Sequence, residues 1–436
     1  MKKVAIHTLG CRANQLESSI ISDSFKKYGW EVVDFKESAD IYVINTCTVT
    51  GKSDNESRYY ARKARKINPN AKIVLCGCYS QVSPEEVAQL DEVDLVLGNT
   101  EKLEIAGLLT SPQVFELENK IYVSDIMQKD SFQDKVVFSA SGRTRANIKI
   151  QDGCNHRCTY CIIPYARGKN RSNGLNNILN QIDEITKQGF QELILSGIHL
   201  GQWGRDLNPR TELYELLQKL ESIDSLKRYR LSSLDPMELN EEIIKTITNS
   251  KKFCRHLHIS LQSGNNSILK AMNRRYTVEY YSELINRLTD NIPDLAIGSD
   301  IIVGFPGETE EQFEDTCNNL KNLPISYIHV FSYSKRKGTP ASLMQNQVSE
   351  HIKKERNKKL TALAKEKNLE FRQSFIGKEL EVLVEFARDR KTGFLKGVTD
   401  NFIPVMLEGS DKLKNQIIKV QVTEVKGDKT FGKIIN

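Results

Sequence analysis

The stretch Gln151-Asp152-Gly153-Cys154-Asn155-His156-Arg157-Cys158-Thr159-Tyr160-Cys161 sets three thiols in one short loop at C-x3-C-x2-C spacing. A cubane iron–sulfur cluster has four irons, and thiolates are its usual protein ligands. Three thiolates at close range, with no fourth cysteine nearby, leave one iron open to a substrate or cofactor. That suits a reacting cluster better than a plain electron carrier. A structural zinc site normally closes its tetrahedron with four ligands, commonly in two C-x2-C pairs. Here His156 would have to act from inside the cysteine loop. A disulfide framework fits no better: nine cysteines is an odd number, and the chain starts Met1-Lys2-Lys3-Val4 with no apolar signal segment. A cytoplasmic protein is expected.

The loop follows the first of six runs of strand character, at 146–151, 192–196, 228–232, 256–261, 296–303 and 327–332. Helical stretches at 177–188, 213–220, 278–289 and 309–323 separate them. Six β/α units make an open partial barrel, not a closed one of eight, and function in such barrels gathers at the C-terminal ends of strands. The cysteine loop falls at such an end. So does the turn Leu195-Ser196-Gly197-Ile198-His199-Leu200-Gly201. The same holds for Asp300-Ile301-Ile302-Val303-Gly304-Phe305-Pro306-Gly307-Glu308, a strand ending in a Gly/Pro turn that opens a helix.

Residues 1 to about 110 alternate strand-like runs (3–8, 41–45, 72–76, 94–97) with helical stretches (15–27, 53–67). That rhythm predicts a small doubly wound parallel sheet. Cys11, Cys47 and Cys78 each fall just past a strand's carboxyl end, where open α/β sheets gather ligands. A second three-cysteine cluster accounts for all three; the alternative is three unrelated cysteines in strand–helix turns. Cys76 reads as packing within its strand.

Residues 111 to about 140 carry little pattern and read as a connector with some strand. The Lys-rich helix at 349–371 reads as a solvated charged face. From about residue 376, five runs (379–386, 393–398, 402–407, 416–425, 430–435) suggest a small oligonucleotide-binding-like barrel. The whole chain of 436 residues has room for two to four domains. Its 39% hydrophobic and 27% charged residues fit a soluble globular protein, and no apolar run is long enough to span a bilayer. A net charge of +6 is compatible with a nucleic-acid partner without establishing one.

The cysteine loop resembles the signature of the radical S-adenosylmethionine (SAM) enzymes. The contexts Cys11-Arg12-Ala13-Asn14-Gln15-Leu16-Glu17-Ser18, Asn45-Thr46-Cys47-Thr48-Val49 and Gly77-Cys78-Tyr79-Ser80-Gln81 resemble the three signatures of the methylthiotransferase N-terminal domain. Arg230-Leu231-Ser232-Ser233, Leu261-Gln262-Ser263-Gly264, Met272-Asn273-Arg274-Arg275-Tyr276 and the segment from Phe331 to Thr339 fit the same family pattern. The tail resembles the TRAM domain, an RNA-binding module.

This resemblance covers the chain and implies an α/β protein in three parts. They are an N-terminal doubly wound parallel sheet over 1–112, an open partial (β/α)6 radical SAM barrel over 140–372, and a small TRAM-like β-barrel over 373–436. It implies two 4Fe–4S clusters: a catalytic one on Cys154, Cys158 and Cys161, and an auxiliary one on Cys11, Cys47 and Cys78. The SAM contacts it implies are Ser196, Gly197, Ser232, Gln262, Ile302, Gly304, Phe305 and Pro306. The implied activity inserts sulfur and a methyl group at carbon 2 of a modified adenosine beside the anticodon. Partners would be the tRNA anticodon stem-loop and an electron donor such as flavodoxin or ferredoxin, with no membrane. Cys161-Ile162-Ile163-Pro164-Tyr165-Ala166-Arg167-Gly168 with Arg171-Ser172 looks most like the branch acting on threonylcarbamoyl-adenosine. The isopentenyl-adenosine branch is the near rival and the ribosomal-protein aspartate branch a distant one. A non-catalytic iron–sulfur RNA-binding protein is the reading from another class.

Two smaller features complete the reading. Arg58, Arg62 and Arg65 recur at i, i+4 and i+7 and share a helical face, which is either solvated or a cradle for anticodon-loop phosphates. His256 and His258 share one face of a strand, either as metal ligands or as satisfied strand histidines.

Overall fold

A computed structural model describes residues 2–110, 112–115, 119–133 and 144–435. The chain forms two compact units, one of residues 1–140, 151–173 and 334–342, the other of 141–150, 174–333 and 343–436.

The first unit is built on a six-stranded parallel sheet: β1 (Lys3–Thr8), β2 (Glu31–Val33), β3 (Ile41–Thr46), β4 (Lys72–Gly77), β5 (Leu95–Leu97) and β6 (Ile121–Tyr122), in the order β2-β1-β3-β4-β5-β6. All six residues of β3 are buried, so it reads as a continuous apolar run without alternation. A parallel sheet covered on both faces requires this. Helix α1 (Arg12–Lys27) packs Leu16, Ile21 and Phe25 with Val43 and Val74 on one side. Helix α2 (Gly51–Ile67) places Ala61 and Ala64 with Ile44, Ile73 and Leu75 on the other. Strand β2, three residues that are only partly buried, escapes sequence reading. Strand β6 is the strand expected in the connector; the connector's residues 111, 116–118 and 134–140 lie outside the described residues.

Two later segments complete this unit. Gln151–Asp152 pairs antiparallel with Arg171–Ser172, and short helices α3 (Cys78–Val82) and α4 (Ile163–Arg167) lie in it. The expected strand 146–151 is thus interrupted. The Gln151 amide donates to the carbonyls of Asp152 (3.0 Å) and Gly153 (2.7 Å) and to Asn170 Oδ1 (2.6 Å), turning the chain into the cysteine loop. The Gly51 N–H donates to Ser334 Oγ at 3.0 Å, and Arg336 pairs with Asp54 at 2.6 Å.

The second unit holds β7 (Arg145–Lys149), β8 (Glu192–Ser196) and β9 (Arg228–Leu231) in one parallel sheet, and β10 (His256–His258), β11 (Ala296–Val303) and β12 (Tyr327–Ser332) in another. Single bridges, Tyr229 to Phe253 and Leu234 to Ile259, connect the two. Strands β7 and β12 are not paired, so the six-strand barrel is open. Helix α5 (Glu350–Gln373) leads to a closed barrel of β13 (Glu379–Arg388), β14 (Leu395–Thr399), β15 (Pro404–Leu407), β16 (Ile417–Lys426) and β17 (Lys429–Ile434).

The charges of α5 are not a solvated face throughout. Arg356 is buried and pairs with Glu308 (2.8 Å), Lys353 is buried and pairs with Glu350 (2.8 Å), and buried Arg372 donates to the Gly427 carbonyl (2.7 Å). The long arms cover apolar surface while their tips find partners.

A second buried ion group joins the closed barrel to the sheet. Glu192 lies between Arg228 (2.7 Å) and Arg230 (3.1 Å). Arg228 donates to the Val398 carbonyl (3.0 Å), and Arg230 to those of Thr399 (3.1 Å) and Asp400 (2.9 Å). Burial would favour the neutral Glu192 carboxyl, but the two guanidiniums outweigh it and hold the group below its ordinary value.

Candidate functional site

Strands β1, β3 and β4 are neighbours in the sheet, so their carboxyl ends bring Cys11, Cys47 and Cys78 to one edge. Cys11 is the exposed N-cap of α1, Cys47 follows β3 and is buried, and Cys78 opens α3 and is buried. Gly10 makes the approach possible. Its φ is +90°, and a Cβ there would lie 2.6 Å from Cys47 Cβ and 2.8 Å from its Sγ. Burial first, then the Cys78 and Cys11 thiolates, push the Cys47 thiol up to about 11. The three sulfurs therefore feel one another electrostatically, and a metal centre that takes them as thiolates removes that cost. The donor set and this close approach fit an iron–sulfur cluster.

Around this edge lies a polar lattice that sequence reading missed. Asn14 donates to the carbonyls of Leu9 (2.8 Å) and Thr46 (2.9 Å), tying the β1 and β3 turns together. Asn99 donates to the Ala166 carbonyl (2.6 Å) and to Cys78 Sγ (3.7 Å). Glu17 pairs with Lys102 (2.5 Å) and Arg167 (2.5 Å). The one available signal was the spacing of Asn14 and Glu17, three apart on α1 just after Cys11, which puts both on one face.

The second cysteine loop is held by its own backbone. The Cys154 N–H donates to the Gly168 carbonyl and the Cys161 N–H to that of Cys158, both at 3.0 Å. Gly153 has φ +74°, and a Cβ there would overlap the Lys169 carbonyl. Cys158 is buried, whereas Cys154 and Cys161 are partly exposed. All nine cysteines are free thiols, and Cys76 is fully buried in β4, its thiol pushed up to about 12 by burial.

The residues expected to contact SAM lie in the second unit. The Ser232 hydroxyl is buried without a hydrogen-bond partner among the described residues, which fits a ligand contact. Gln262 has φ +70°, a conformation that non-glycine residues adopt at a cost and that clusters at functional sites. Ser196 donates to the Ile148 carbonyl at 3.1 Å, and Gly197 beside it is partly exposed. The Gly304 N–H donates to Glu308 Oε2 at 2.6 Å, closing the turn, and Pro306 is buried. Ile302 is partly exposed, while the Phe305 ring is fully buried against Tyr333.

Of the two strand histidines, His258 lies with Asp300 and His329 in a group whose ligand atoms all fall within 4.8 Å of one another, close enough to hold a metal ion, and His256 is not in that group. His256 Nε2 lies 2.8 Å from the Tyr327 hydroxyl, and His258 lies 2.9 Å from Ser233 Oγ and 3.2 Å from Asp300. The α2 arginine row departs from both of its readings. Arg65 is bound to the Ala71 and Glu92 carbonyls and to Asp94, and Arg58 to Tyr79, Glu86 and Asn55. Only Arg62, 58% exposed and 3.9 Å from Glu92, keeps an open guanidinium in that row. Arg65 pins the helix to neighbouring loops, and Arg58 pins it to Tyr79 of α3 and to Glu86.

Comparison with known proteins agrees with this geometry. The family described as "Radical SAM superfamily" matches residues 148–320, and "Uncharacterized protein family UPF0004" matches residues 3–98. A radical SAM methyltransferase from Kitasatospora setae, solved with cobalamin and a [4Fe-4S] cluster, shares the fold at TM-score 0.59 and 16% identity, over 79% of this chain and 77% of that one. A protein of Bacillus subtilis (strain 168) named threonylcarbamoyladenosine tRNA methylthiotransferase MtaB is 40% identical over 97% of this chain and 94% of its own length. A protein of Acetivibrio thermocellus named tRNA-2-methylthio-N(6)-dimethylallyladenosine synthase is 33% identical over 100% of this chain and 91% of its own. The chain belongs to the radical SAM tRNA methylthiotransferases. It is therefore an enzyme of sulfur and methyl transfer that uses a 4Fe–4S cluster and SAM. No helix among the described residues is long and apolar enough to cross a membrane.

Proposed function

We propose that this enzyme inserts sulfur and a methyl group at carbon 2 of threonylcarbamoyl-modified adenosine beside the anticodon of tRNA. The observation that carries the choice of base is the identity of 40% to a relative named for threonylcarbamoyladenosine, against 33% to one named for dimethylallyladenosine. In this reading Cys154, Cys158 and Cys161 hold the catalytic cluster, and Cys11, Cys47 and Cys78 hold an auxiliary one. With SAM bound, a cluster held by these residues would supply the radical that an unactivated aromatic C–H bond demands.

The chain's own residues then have distinct tasks. The turn at Gly153 sets the root of the catalytic loop. Ser232, Gln262, Ile302 and the backbone at Ser196, Gly197, Gly304, Phe305 and Pro306 line the SAM position. The closed C-terminal barrel, over 373–436, binds tRNA through phosphate contacts, while 1–112 carries the auxiliary cluster and 140–372 the radical chemistry. A low-potential donor such as flavodoxin or ferredoxin supplies the electron, and the enzyme works in the cytoplasm.

The test is turnover by the reconstituted protein on two tRNA preparations, one bearing threonylcarbamoyl-adenosine and one isopentenyl-adenosine, with nucleosides read by mass spectrometry. A methylthio group on the first alone supports the reading. Modification of the isopentenyl base alone overturns it.

A further inference from the structure

The first unit buries a connected group of ions. Arg167 and Glu17 are each 1% exposed and Lys102 is fully buried. The Arg167 guanidinium donates to Glu17 (2.5 Å), to Asn14 Oδ1 (2.5 Å) and, at 3.4 Å, to Asp152. Arg171, also buried, lies 3.8 Å from Asp152. Among the described residues and contacts, three cations thus face two carboxylates. Taking charge out of water is costly, and a surplus cation is costlier still unless another anion answers it.

The answering anion is at hand. Asn99 bridges the Cys78 sulfur and the carbonyl of Ala166, the residue just before Arg167. Burial opposes the Arg167 charge, but Glu17, the Cys78 thiolate and Asp152 outweigh it and hold the guanidinium charged well above its usual range. A neutral thiol at Cys78 would not balance the surplus. A 4Fe–4S cluster on three thiolates would, since it is formally a monoanion when oxidised and a dianion when reduced.

We propose that Arg167, which follows the catalytic cysteine loop in sequence, is the counter-charge of the other trio's cluster and sets its reduction potential. This rests on the auxiliary-cluster reading above. Arg167 acts through its field and touches no substrate, so it is a positioning residue. On reduction the auxiliary cluster takes one electron from an external reductant and gains no proton, so its dianion is favoured by a nearby cation and disfavoured by a nearby carboxylate. The two members of one ion pair, Arg167 and Glu17, must therefore move the potential in opposite directions. Asp152 extends the effect: its carboxylate accepts from the Gly153 N–H at 2.9 Å, at the root of the catalytic loop.

The experiment is an anaerobic dithionite titration of the full-length reconstituted protein, followed by electron paramagnetic resonance. The auxiliary signal is isolated in a background of Cys154→Ala, Cys158→Ala and Cys161→Ala. Arg167→Gln should lower the reduction equilibrium constant about tenfold, a shift of ~59 mV to more negative potential. Glu17→Gln should shift it the other way. Arg167→Lys, which keeps the charge without the fork, should remain close to the unsubstituted protein. If Arg167→Gln fails to load iron, the Glu17→Gln and Arg167→Lys measurements decide the matter. Unchanged potentials in loaded variants, or shifts of one sign for Arg167→Gln and Glu17→Gln, overturn the proposal. A background protein with no cluster signal before any substitution at Arg167 overturns the auxiliary-cluster reading itself, and the proposal with it.

Discussion

Cys154, Cys158 and Cys161 share one short loop, whereas Cys11, Cys47 and Cys78 meet only because β1, β3 and β4 are neighbours in a sheet. The first trio is local chemistry, held by the turn at Gly153 and by hydrogen bonds within and beside the loop. The second is a product of topology, and its buried members sit among Asn14, Asn99 and the Glu17 ion group. A contiguous loop can be read from spacing. A dispersed trio exists only once the sheet order does, and the buried ion group beside it reaches the root of the other loop through Asp152.

The sharpest break between the two sites is removal of their thiols. Replacing Cys154, Cys158 and Cys161 together by Ala should leave roughly half the iron and abolish SAM cleavage, because each four-iron cubane is a separate unit. Replacing Cys11, Cys47 and Cys78 should also remove about half the iron while deoxyadenosine still forms. Retention of all the iron by either protein would refute the pairing of trios with clusters.

Next in size are the two glycines. Gly153→Ala forces a Cβ into the Lys169 backbone, which cannot yield without opening the loop. We expect near-complete loss of SAM cleavage. Gly10→Ala meets the Cys47 side chain, so it should reduce auxiliary iron and spare the catalytic cluster. Iron per chain and deoxyadenosine yield, measured together, distinguish these outcomes.

The second unit supplies a contrast, a buried ion group with no cysteine trio. Glu192→Gln leaves Arg228 and Arg230 uncompensated and should cost ~3–5 kcal/mol in denaturant unfolding. Its pH dependence has a definite sign. Glu192 is held below its ordinary 4.5 in the folded protein, so its stabilisation is present above that pH and lost as pH falls through the folded value. Unfolding midpoints measured from neutral to acid pH should therefore converge between wild type and Glu192→Gln. Curves that stay parallel would count against the clamp.

The smallest effect belongs to Arg62. As an exposed residue, its change to Gln should alter stability by no more than ~0.5 kcal/mol. If it meets a phosphate, the salt dependence of tRNA binding should fall by about one unit of slope. An unchanged slope removes α2 from the RNA-facing surface.

Much of the architecture was legible because strands such as β3, β11 and β12 are long enough to declare themselves. Strand β2 was not, and β6 only as some strand in the connector. Charge was read least well. Arg65, Arg356 and Arg372 look solvent-facing in a helical pattern, yet each is tied to carbonyls or carboxylates distant in sequence, which no local period encodes. Arg167 was read as part of a family motif, but its partners Glu17 and Asn14 lie on α1 and only the fold brings them within reach.

The joint at Arg228 and Arg230 grips main-chain oxygens of Val398, Thr399 and Asp400, not their side chains. Main-chain oxygens are the same in every sequence, so the attachment survives wholesale change of the barrel's surface. On the proposed reading of the tail as an RNA-binding barrel, its outward residues can be altered toward different RNAs while the fastening stays the same. Cutting the tail away, by contrast, strips two buried guanidiniums of their acceptors. Grafting a foreign barrel that keeps the 398–400 turn is therefore the cleaner way to test the proposed RNA-binding role of the tail.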